Sequence, residues 1–285
     1  MLKVGFIGAG IVGTALAQLL SSKGYRVVAV SSRNTNSAAK LSGAIEGCRV
    51  FDTSQEVADA AELVFITIPD DAIAPVVAQV KWQRGQSVVH CSGVESTEAL
   101  ESARKQGARV GVAHPLQTFA STNQAMENIP GSTFSLEAEE PLLGTLKKMV
   151  TAIGCDWIEI KADDKVSYHA AAAIVSNYTI TLAKLATDLW QTFSVPPQQT
   201  IKAMLPLMRG TLDSIESVGI PRCLTGPIAR GDAGTVKKHM DTLQKITPTM
   251  LSTYKELGLQ TIPIALAKGR INEHQAQELR TLLES

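Results

Sequence analysis

A glycine-rich turn near the start of the chain constrains the fold most. It follows an apolar strand pattern, Lys3–Ile7, and opens a helical pattern, Ile11–Ser22. Its residues match the pattern GxGxxG and are Gly8, Ala9, Gly10, Ile11, Val12 and Gly13. Gly8 permits a tight turn, Gly10 lets a pyrophosphate approach the backbone, and Gly13 lets helix and strand pack closely. The free amides of the helix N-terminus attract phosphate. The pattern therefore predicts a dinucleotide site.

The end of the second predicted strand, Arg26–Val30, indicates which dinucleotide binds. It continues into Ser31, Ser32 and Arg33, with no carboxylate. An NAD site carries an acidic residue there to hold the ribose 2′-hydroxyl, and FAD sites favour one as well. An arginine with two hydroxyls instead suits a 2′-phosphate, so the sequence favours NADP. Arg33 stacked on adenine, or solvated in a loop, is the alternative.

The rest of the first half alternates apolar runs with helical patterns. This alternation predicts a mainly parallel sheet with helices on both faces. A helix is predicted over Glu139–Ala152. The further predicted strands are Val50–Phe51, Leu63–Ile68, Ser87–His90, Arg109–Ala113, Thr133–Leu136 and Trp157–Ile160.

The pattern changes near Lys161, after which helices follow one another. Asp163–Phe193 lacks Gly and Pro and predicts one long helix, whereas Pro206 and Pro263 are expected to separate later helices. The predicted fold is an α/β Rossmann domain over residues 1–160, followed by an all-α domain for substrate binding and dimerisation over 161–285.

The carboxyl ends of the strands should face the ligand, as in other open α/β sheets. His114, at the end of the sixth strand, is expected in the cleft, with capping of the strand end as the alternative. Gln117 is expected to contact substrate. Asp70 and Asp71 follow the fourth strand and could also cap the next helix. The residues expected here to contact the cofactor are Ile68, Pro69, Asp70, Ser92 and Gly93.

The glycine turn, the Pro69-Asp70 pair and the helical second half together resemble the 6-phosphogluconate dehydrogenase-like superfamily. That superfamily includes pyrroline-5-carboxylate reductase and the β-hydroxyacid dehydrogenases. The closer resemblance is to bacterial NADP oxidoreductases that join a Rossmann-like domain to a helical C-terminal domain of unknown function. The motifs that carry it are His90-Cys91-Ser92-Gly93, His114-Pro115-Leu116-Gln117-Thr118-Phe119, Tyr168-His169-Ala170-Ala171-Ala172, Ser176-Asn177-Tyr178 and Leu224-Thr225-Gly226-Pro227-Ile228-Ala229-Arg230-Gly231-Asp232.

The resemblance implies that the long helix after residue 161 carries catalytic residues that face the nicotinamide. Lys165, His169 and Asn177 are the candidates, and their spacing places them within about a third of the helix circumference. The β-hydroxyacid dehydrogenases have an Asn one turn after their Lys, where this chain has His169. Pyrroline-5-carboxylate reductase lacks such a Lys. A solvated Lys165, a core His169 and a helix–helix contact for Asn177 are the alternatives.

The expected reaction is hydride transfer between NADP(H) and a small carbonyl or imine. His169, His114 or Lys165 would supply a proton, while Asn177 and Ser92 could orient the reacting atom. Arg230 could bind a substrate carboxylate or phosphate, or form an ion pair with Asp232. The alternatives are a non-catalytic NADP-binding sensor or scaffold, and an NADP oxidoreductase with a deazaflavin partner.

Composition limits the other partners. The chain has 27 basic and 27 acidic residues, so no net charge draws it to nucleic acid or to anionic membranes. The early apolar stretch is interrupted by glycines and lacks the features of a signal peptide, which predicts a cytoplasmic protein. Four scattered cysteines predict free thiols and no metal site. The apolar helices of the second half predict a homodimer.

Overall fold

The computed structural model describes residues 2–285, which form two compact units divided between Ser176 and Asn177. The strands are β1 (Lys3–Ile7), β2 (Arg26–Ser31), β3 (Arg49–Val50), β4 (Leu63–Ile66), β5 (Ser87–His90), β6 (Arg109–Pro115), β7 (Thr133–Ala138) and β8 (Asp156–Glu159).

These strands form one sheet in the order β3-β2-β1-β4-β5-β6-β7-β8. All neighbouring strands pair in parallel except β6 and β7, which pair antiparallel. The chain turns from one side of β1 to the other between β3 and β4, and such a switch point opens a ligand crevice at the carboxyl ends of the strands. The predicted mainly parallel sheet is confirmed.

Helices cover both faces of this sheet. One buried cluster packs Leu16 and Leu20 against strand residues such as Phe6, and the other packs Ile73 and Val77 against residues such as Ile66. The helices of the chain are α1 (Ile11–Ser22), α2 (Thr35–Gly43), α3 (Ser54–Ala60), α4 (Asp70–Ala78), α5 (Glu101–Lys105), α6 (Thr122–Asn128), α7 (Leu142–Ala152), α8 (Lys165–Gln191), α9 (Pro197–Val218), α10 (Ala233–Ile246), α11 (Pro248–Ala267) and α12 (Glu273–Glu284).

Several predicted boundaries in the first unit were wrong by one to three residues, for example those of β4, β6 and α7. β4 ends at Ile66 rather than Ile68, ahead of the loop that contains Pro69. β6 continues to Pro115 because its last residues pair with β7. α7 begins at Leu142 rather than Glu139, because Pro141 disfavours a helical residue before it.

Two prolines of the second half were wrongly predicted to separate helices. Pro206 lies inside α9 and Pro263 lies inside α11. A proline removes one backbone hydrogen bond of a helix, but the turns on either side can still form. Proline alone therefore does not mark a helix end in this part of the chain.

The second unit has its own small core, formed where α10, α11 and α12 pack together. Val236 and Met240 of α10 meet Ile262 of α11 and Leu279 and Leu283 of α12. α8 crosses the division between the units, so the first compact unit extends beyond the predicted boundary at residue 161 and includes the first turns of α8. The helical character of the second half is confirmed.

Candidate functional site

The glycine turn lies between β1 and α1, and two of its glycines are required by the local geometry. Gly8 has φ of +109°, and a side chain there would collide with the carbonyl of Thr67. A side chain at Gly13 would collide with the Thr67 hydroxyl and lie 2.7 Å from the Gly8 carbonyl oxygen. A Cβ at Gly10 would instead meet nothing within 4 Å among the described residues. The backbone is therefore open to a ligand at Gly10.

A cavity of about 320 Å³ adjoins this turn. Eight residues that the sequence predicts for cofactor binding line it: Gly8, Ala9, Gly10, Ser31, Ser32, Arg33, Ile68 and Pro69. Six further lining residues were not predicted from the sequence, namely Ile7, Asp52, Ser54, Thr67, Ala72 and Val76. Gly10, with its open backbone, and the Arg33 side chain line the same cavity, and these two groups fit the diphosphate and 2′-phosphate of NADP.

Thr67 is the most informative of the missed residues. Its amide donates to the Ile7 carbonyl at 2.8 Å, and its hydroxyl donates to the Gly8 carbonyl at 2.8 Å. Thr67 thus joins the end of β4 to the glycine turn and fills the space that Gly13 leaves. The other predicted cofactor residues of the turn, Ile11 and Val12, form the first turn of α1 and do not line the cavity.

The capping role considered for Asp70 and Asp71 was wrong. Pro69 occupies the N-cap position of α4, and no side chain caps that end. Both aspartates lie in the first turn, where a carboxylate interacts favourably with the helix dipole. Asp70 does not line the cavity, but its charge acts on His90 and Lys165.

The loop after β5 is held by His90 and Ser92. The Ser92 amide donates to His90 Nδ1 at 3.1 Å, so the ring hydrogen is on Nε2, which donates to the Ser96 carbonyl at 3.0 Å. Burial lowers the pKa of His90. The Ser92 hydroxyl accepts from the amides of Val94 and Glu95. The Ser92 side chain, predicted to contact ligand, therefore shapes the loop that carries Gly93.

The sheet register brings polar residues of three strands onto one face. His90 of β5 lies beside Val112 of β6, which lies opposite Glu137 of β7. Two residues along β6, His114 lies opposite Ser135. Because alternate strand residues share a face, the two histidines, the serine and the glutamate form one polar cluster at the edge where β5 and β6 end.

The start of α8 adds Tyr168 and His169 to this cluster. His114 Nδ1 and the Tyr168 hydroxyl are 2.9 Å apart. The ring centroids of His114 and His169 lie 6.3 Å apart. A Cβ on Gly93 would lie 2.8 Å from His114 Nε2 and 2.6 Å from His169 Cδ2. Gly93, predicted to contact cofactor, thus allows both imidazoles to approach the loop.

Lys165 is buried in the first unit, with 1% of its surface exposed, so the alternative of a solvated lysine was wrong. Burial lowers its pKa, and the carboxylates of Glu137, Asp70 and Glu95 act in the opposite direction. No hydrogen bond or ion pair within residues 2–285 holds its ammonium group. Burial is also the main cause that lowers the pKa of His114 to about 4, with contributions from Lys165, His169 and His90.

Three predicted residues lie outside this cluster. Gln117 accepts from the Thr118 amide at 2.9 Å and is exposed. Asn177 lies in the second unit, on the continuation of α8, and is exposed. Arg230, also in the second unit, lies 3.7 Å from the Asp232 carboxylate, so the ion pair considered from the sequence forms, although loosely.

Other site classes find no support in residues 2–285. No cluster of three or more His, Cys, Asp or Glu side chains could hold a metal ion there. The four cysteines are free thiols. Over the same residues, no helix is both long enough and apolar enough to cross a membrane.

Two family models match this chain. Residues 3–93 match "NADP oxidoreductase coenzyme F420-dependent", and residues 132–261 match the domain of unknown function DUF2520. The N-terminal part of the chain is therefore similar to the NADP oxidoreductase family. The match covers the glycine turn, the lining of the cavity and the loop that ends at Gly93, and DUF2520 covers β7 and most of the helices that follow.

Several solved structures are also similar to this chain. A Bacteroides fragilis protein assigned as an NADP oxidoreductase is 26% identical, with a TM-score of 0.75, over 92% of this chain and 98% of that chain. A Thermotoga maritima protein is 26% identical, with a TM-score of 0.74, over 94% and 100%. A reductive aminase from Aspergillus terreus, at 15% identity and a TM-score of 0.61, shares the fold over 100% of this chain and 93% of that chain.

Curated relatives match only part of the chain. The 2-(hydroxymethyl)glutarate dehydrogenase of Eubacterium barkeri is 25% identical over 162 residues, which are 54% of this chain and 52% of that protein. The 2-hydroxy-3-oxopropionate reductase of Escherichia coli is 25% identical over 167 residues, which are 54% of this chain and 55% of that protein. The chain thus spans about half the length of these relatives.

Proposed function

We propose that this protein is an NADP-dependent oxidoreductase that transfers a hydride between NADP(H) and a small carbonyl or imine compound. One observation carries the proposal. The glycine turn at the end of β1 and the polar cluster at the ends of β5 and β6 lie at the same carboxyl edge, because β1, β4, β5 and β6 pair in parallel within one sheet. Open α/β sheets bind ligands at that edge. A dehydrogenase and a reductase among the relatives support the reaction class.

The cavity beside the glycine turn is the proposed NADP site. The amides at the start of α1 would hold the diphosphate, and Arg33 with Ser31 and Ser32 would hold the ribose 2′-phosphate. Bound there, NADPH would supply the hydride from its nicotinamide ring. Ile68 and Pro69 would form the wall against which the cofactor lies.

Lys165 is the proposed proton donor. As a substrate carbonyl is reduced, its oxygen gains negative charge and needs a proton. The Lys165 ammonium is enclosed beside acidic groups and has a lowered pKa, which makes proton release easier. His114, with a pKa of about 4, is uncharged at neutral pH and suits hydrogen bonding to the reacting atom. His169 is exposed beside it and is proposed to contact the substrate.

Substrate recognition is proposed for Gln117, Asn177 and Arg230. Arg230 has the strongest support, because with Lys268 and Arg270 it lines a cavity of about 200 Å³ in the second unit. Three cationic side chains around one small cavity suit a carboxylate or phosphate group. The proposed substrate therefore carries an anionic group in addition to its carbonyl or imine.

A homodimer in the cytoplasm is part of the proposal. α8 and α9 expose large apolar side chains, among them Ile180 at 67% and Leu207 at 73%. Apolar surface of this kind on helices is typical of subunit interfaces. The proposed partner for this apolar surface is therefore a second copy of this chain. The four free thiols accord with a reducing compartment.

A deazaflavin is a second candidate hydride partner, because the family matched by residues 3–93 is described as coenzyme F420-dependent. Mixing the protein with NADPH and the oxidised deazaflavin would then bleach the deazaflavin absorbance. An unchanged spectrum would exclude this partner.

The proposed reaction is tested by following NADPH absorbance with a panel of small oxo acids, hydroxy acids and cyclic imines. The expected result is turnover with one chemical class, lost in Lys165→Met. NADPH binding without turnover of any compound in the panel would contradict the proposal.

A further inference from the structure

The hydroxyl of Tyr168 and the imidazole of His114 share a hydrogen bond, and the surrounding contacts determine which of the two groups donates it. The 2.9 Å contact joins Tyr168 Oη to His114 Nδ1, and the two rings meet edge to face at 89°. One hydrogen lies between these atoms. Either the phenol donates it to Nδ1, or Nδ1 donates it to the phenol oxygen.

The remaining contacts of Tyr168 distinguish these two arrangements. If Nδ1 carried the hydrogen, the phenol hydrogen would need another acceptor. Ser135 Oγ is the neighbouring candidate, but its contact with Tyr168 lowers the pKa of the phenol, as expected when the serine hydroxyl donates to the phenol oxygen. This buried serine finds no other partner within residues 2–285. A phenol is also a good donor and an unprotonated imidazole nitrogen a good acceptor. Donation from Tyr168 to Nδ1 therefore satisfies both side chains.

This arrangement leaves the ring hydrogen of His114 on Nε2, which faces Gly93. A Cβ on Gly93 would lie 2.8 Å from Nε2, so the absence of a side chain there keeps the nitrogen open. Nε2 has no hydrogen-bond partner in the part of the chain that the structure describes. The charged and titratable groups that act on His114 are Lys165 and His169 of α8 and His90 of β5.

We infer that Tyr168 is a positioning residue that holds His114 in the tautomer with its hydrogen on Nε2, so that the site donates a hydrogen bond to a substrate oxygen. This inference rests on the proposed function and narrows its substrate class. A carbonyl oxygen accepts such a bond. A protonated imine has no lone pair to accept one, and its charge is disfavoured beside Lys165. The structure therefore favours a carbonyl substrate over a protonated imine.

The tautomer can be measured directly by ¹⁵N NMR of the full chain labelled in histidine, with His114 assigned by its absence in His114→Asn. The wild type should show a protonated Nε2 and an unprotonated Nδ1 at neutral pH. In Tyr168→Phe both nitrogens should shift toward a mixture of tautomers. A hydrogen on Nδ1 in the wild type, or an unchanged tautomer in Tyr168→Phe, would overturn the inference.

The second unit provides a matched control. There the Tyr254 hydroxyl lies 2.9 Å from His239 Nδ1, in the same edge-to-face arrangement. Tyr254→Phe should change the His239 signals and leave those of His114 as in the wild type. With an active carbonyl substrate, Tyr168→Phe should lower kcat about tenfold, the loss of one hydrogen bond, with little change in KM.

The NMR result does not depend on turnover, so failure of the proposed reaction remains distinguishable from failure of this assignment. Faster reduction of cyclic imines than of oxo acids would contradict the carbonyl preference, even with the tautomer as inferred.

Discussion

At the scale of single residues, the burial of Lys165 is the feature most closely tied to chemistry. A lysine with 1% exposure and no paired carboxylate loses hydration of its charge, which is tolerated where the charge has a use. The Lys165 charge acts on His114, which is hydrogen-bonded to Tyr168 and lies beside the space left by the missing side chain of Gly93. In the proposed reaction, Lys165 would supply the proton and His114 would donate a hydrogen bond to the substrate.

Lys165→Met should remove reduction activity and keep the fold. Met has a similar shape without the buried charge, so stability should be equal or higher, whereas loss of the proton donor should lower kcat about a hundredfold or more. Steady-state kinetics and thermal unfolding measure the two effects. Lys161→Met, at an exposed position shortly before α8, is the control and should resemble the wild type. Equal loss of activity in both variants would contradict the assignment.

The lowered pKa of Lys165 predicts how the rate of reduction depends on pH. Burial lowers the pKa of Lys165 below its ordinary value of 10.5. The protonated form, which donates the proton, is lost as pH rises through this lowered pKa. The rate of carbonyl reduction should therefore fall on the alkaline side, with a midpoint below pH 10.5. A pH profile of kcat that stays flat to that pH would contradict this role.

His114 predicts a loss of stability in acid. Its pKa is about 4 in the folded chain and 6.5 ordinarily, so the unfolded chain takes up the proton first as pH falls. The contribution of neutral His114 to the free energy of unfolding is complete above pH 6.5 and decreases between pH 6.5 and about 4. It amounts to about 3 kcal/mol. Denaturant unfolding of His114→Asn should show a weaker dependence over this range. His274→Asn, at an exposed position, should keep the wild-type dependence.

At the scale of elements, the junction of β1, α1 and β4 supports the cofactor site. Gly13 lets α1 pack on Thr67, and Thr67 in turn holds the Gly8 carbonyl. Gly10 lies on the open side of the same turn. Gly13 thus serves packing, whereas Gly10 leaves open the backbone at which the proposed cofactor would bind.

Alanine substitutions should separate these purposes. Gly13→Ala should destabilise the fold by about 1–3 kcal/mol, because the new methyl group collides with Thr67 and the Gly8 carbonyl. Gly10→Ala should leave stability nearly unchanged and weaken NADPH binding, because its methyl group enters the open side of the turn. Thermal unfolding and NADPH titration of both variants test the prediction. Equal stability losses would contradict it.

The sequence predicted the elements of this site better than their contacts. Apolar runs and the GxGxxG turn predicted the strands and α1, since those signals are local. Thr67 and Tyr168 were missed because their roles depend on which strand or helix lies beside them. The pairing of His114 with Ser135 depends on the register of β6 and β7, which no local pattern encodes. The helix ends predicted at Pro206 and Pro263 were wrong because a helix can continue past a proline.

At the scale of the whole molecule, exposed apolar side chains on helices are the feature from which the homodimer is proposed. α9 buries only Thr200 among the described residues, although it carries several large apolar side chains. The homodimer proposed above would cover this surface.

Leu207→Glu should disrupt the dimer, because it places a charge on an apolar face of α9 that is 73% exposed in the single chain. Light scattering after size-exclusion chromatography should report a dimer for the wild type and a monomer for this variant. Lys245→Glu, an exposed position on α10, should remain dimeric. A monomeric wild type would contradict the proposed dimer.

The central claim is that the cavity beside the glycine turn binds NADP, with Arg33 on the 2′-phosphate. Titration calorimetry with NADPH and NADH tests it in the wild type, in Arg33→Ala and in Arg49→Ala, whose guanidinium instead lies 5.4 Å from the Phe51 ring. NADPH should bind more tightly than NADH, Arg33→Ala should weaken NADPH binding about tenfold to a hundredfold, and Arg49→Ala should change little. No heat with either nucleotide, or equal affinities that Arg33→Ala leaves unchanged, would contradict the account.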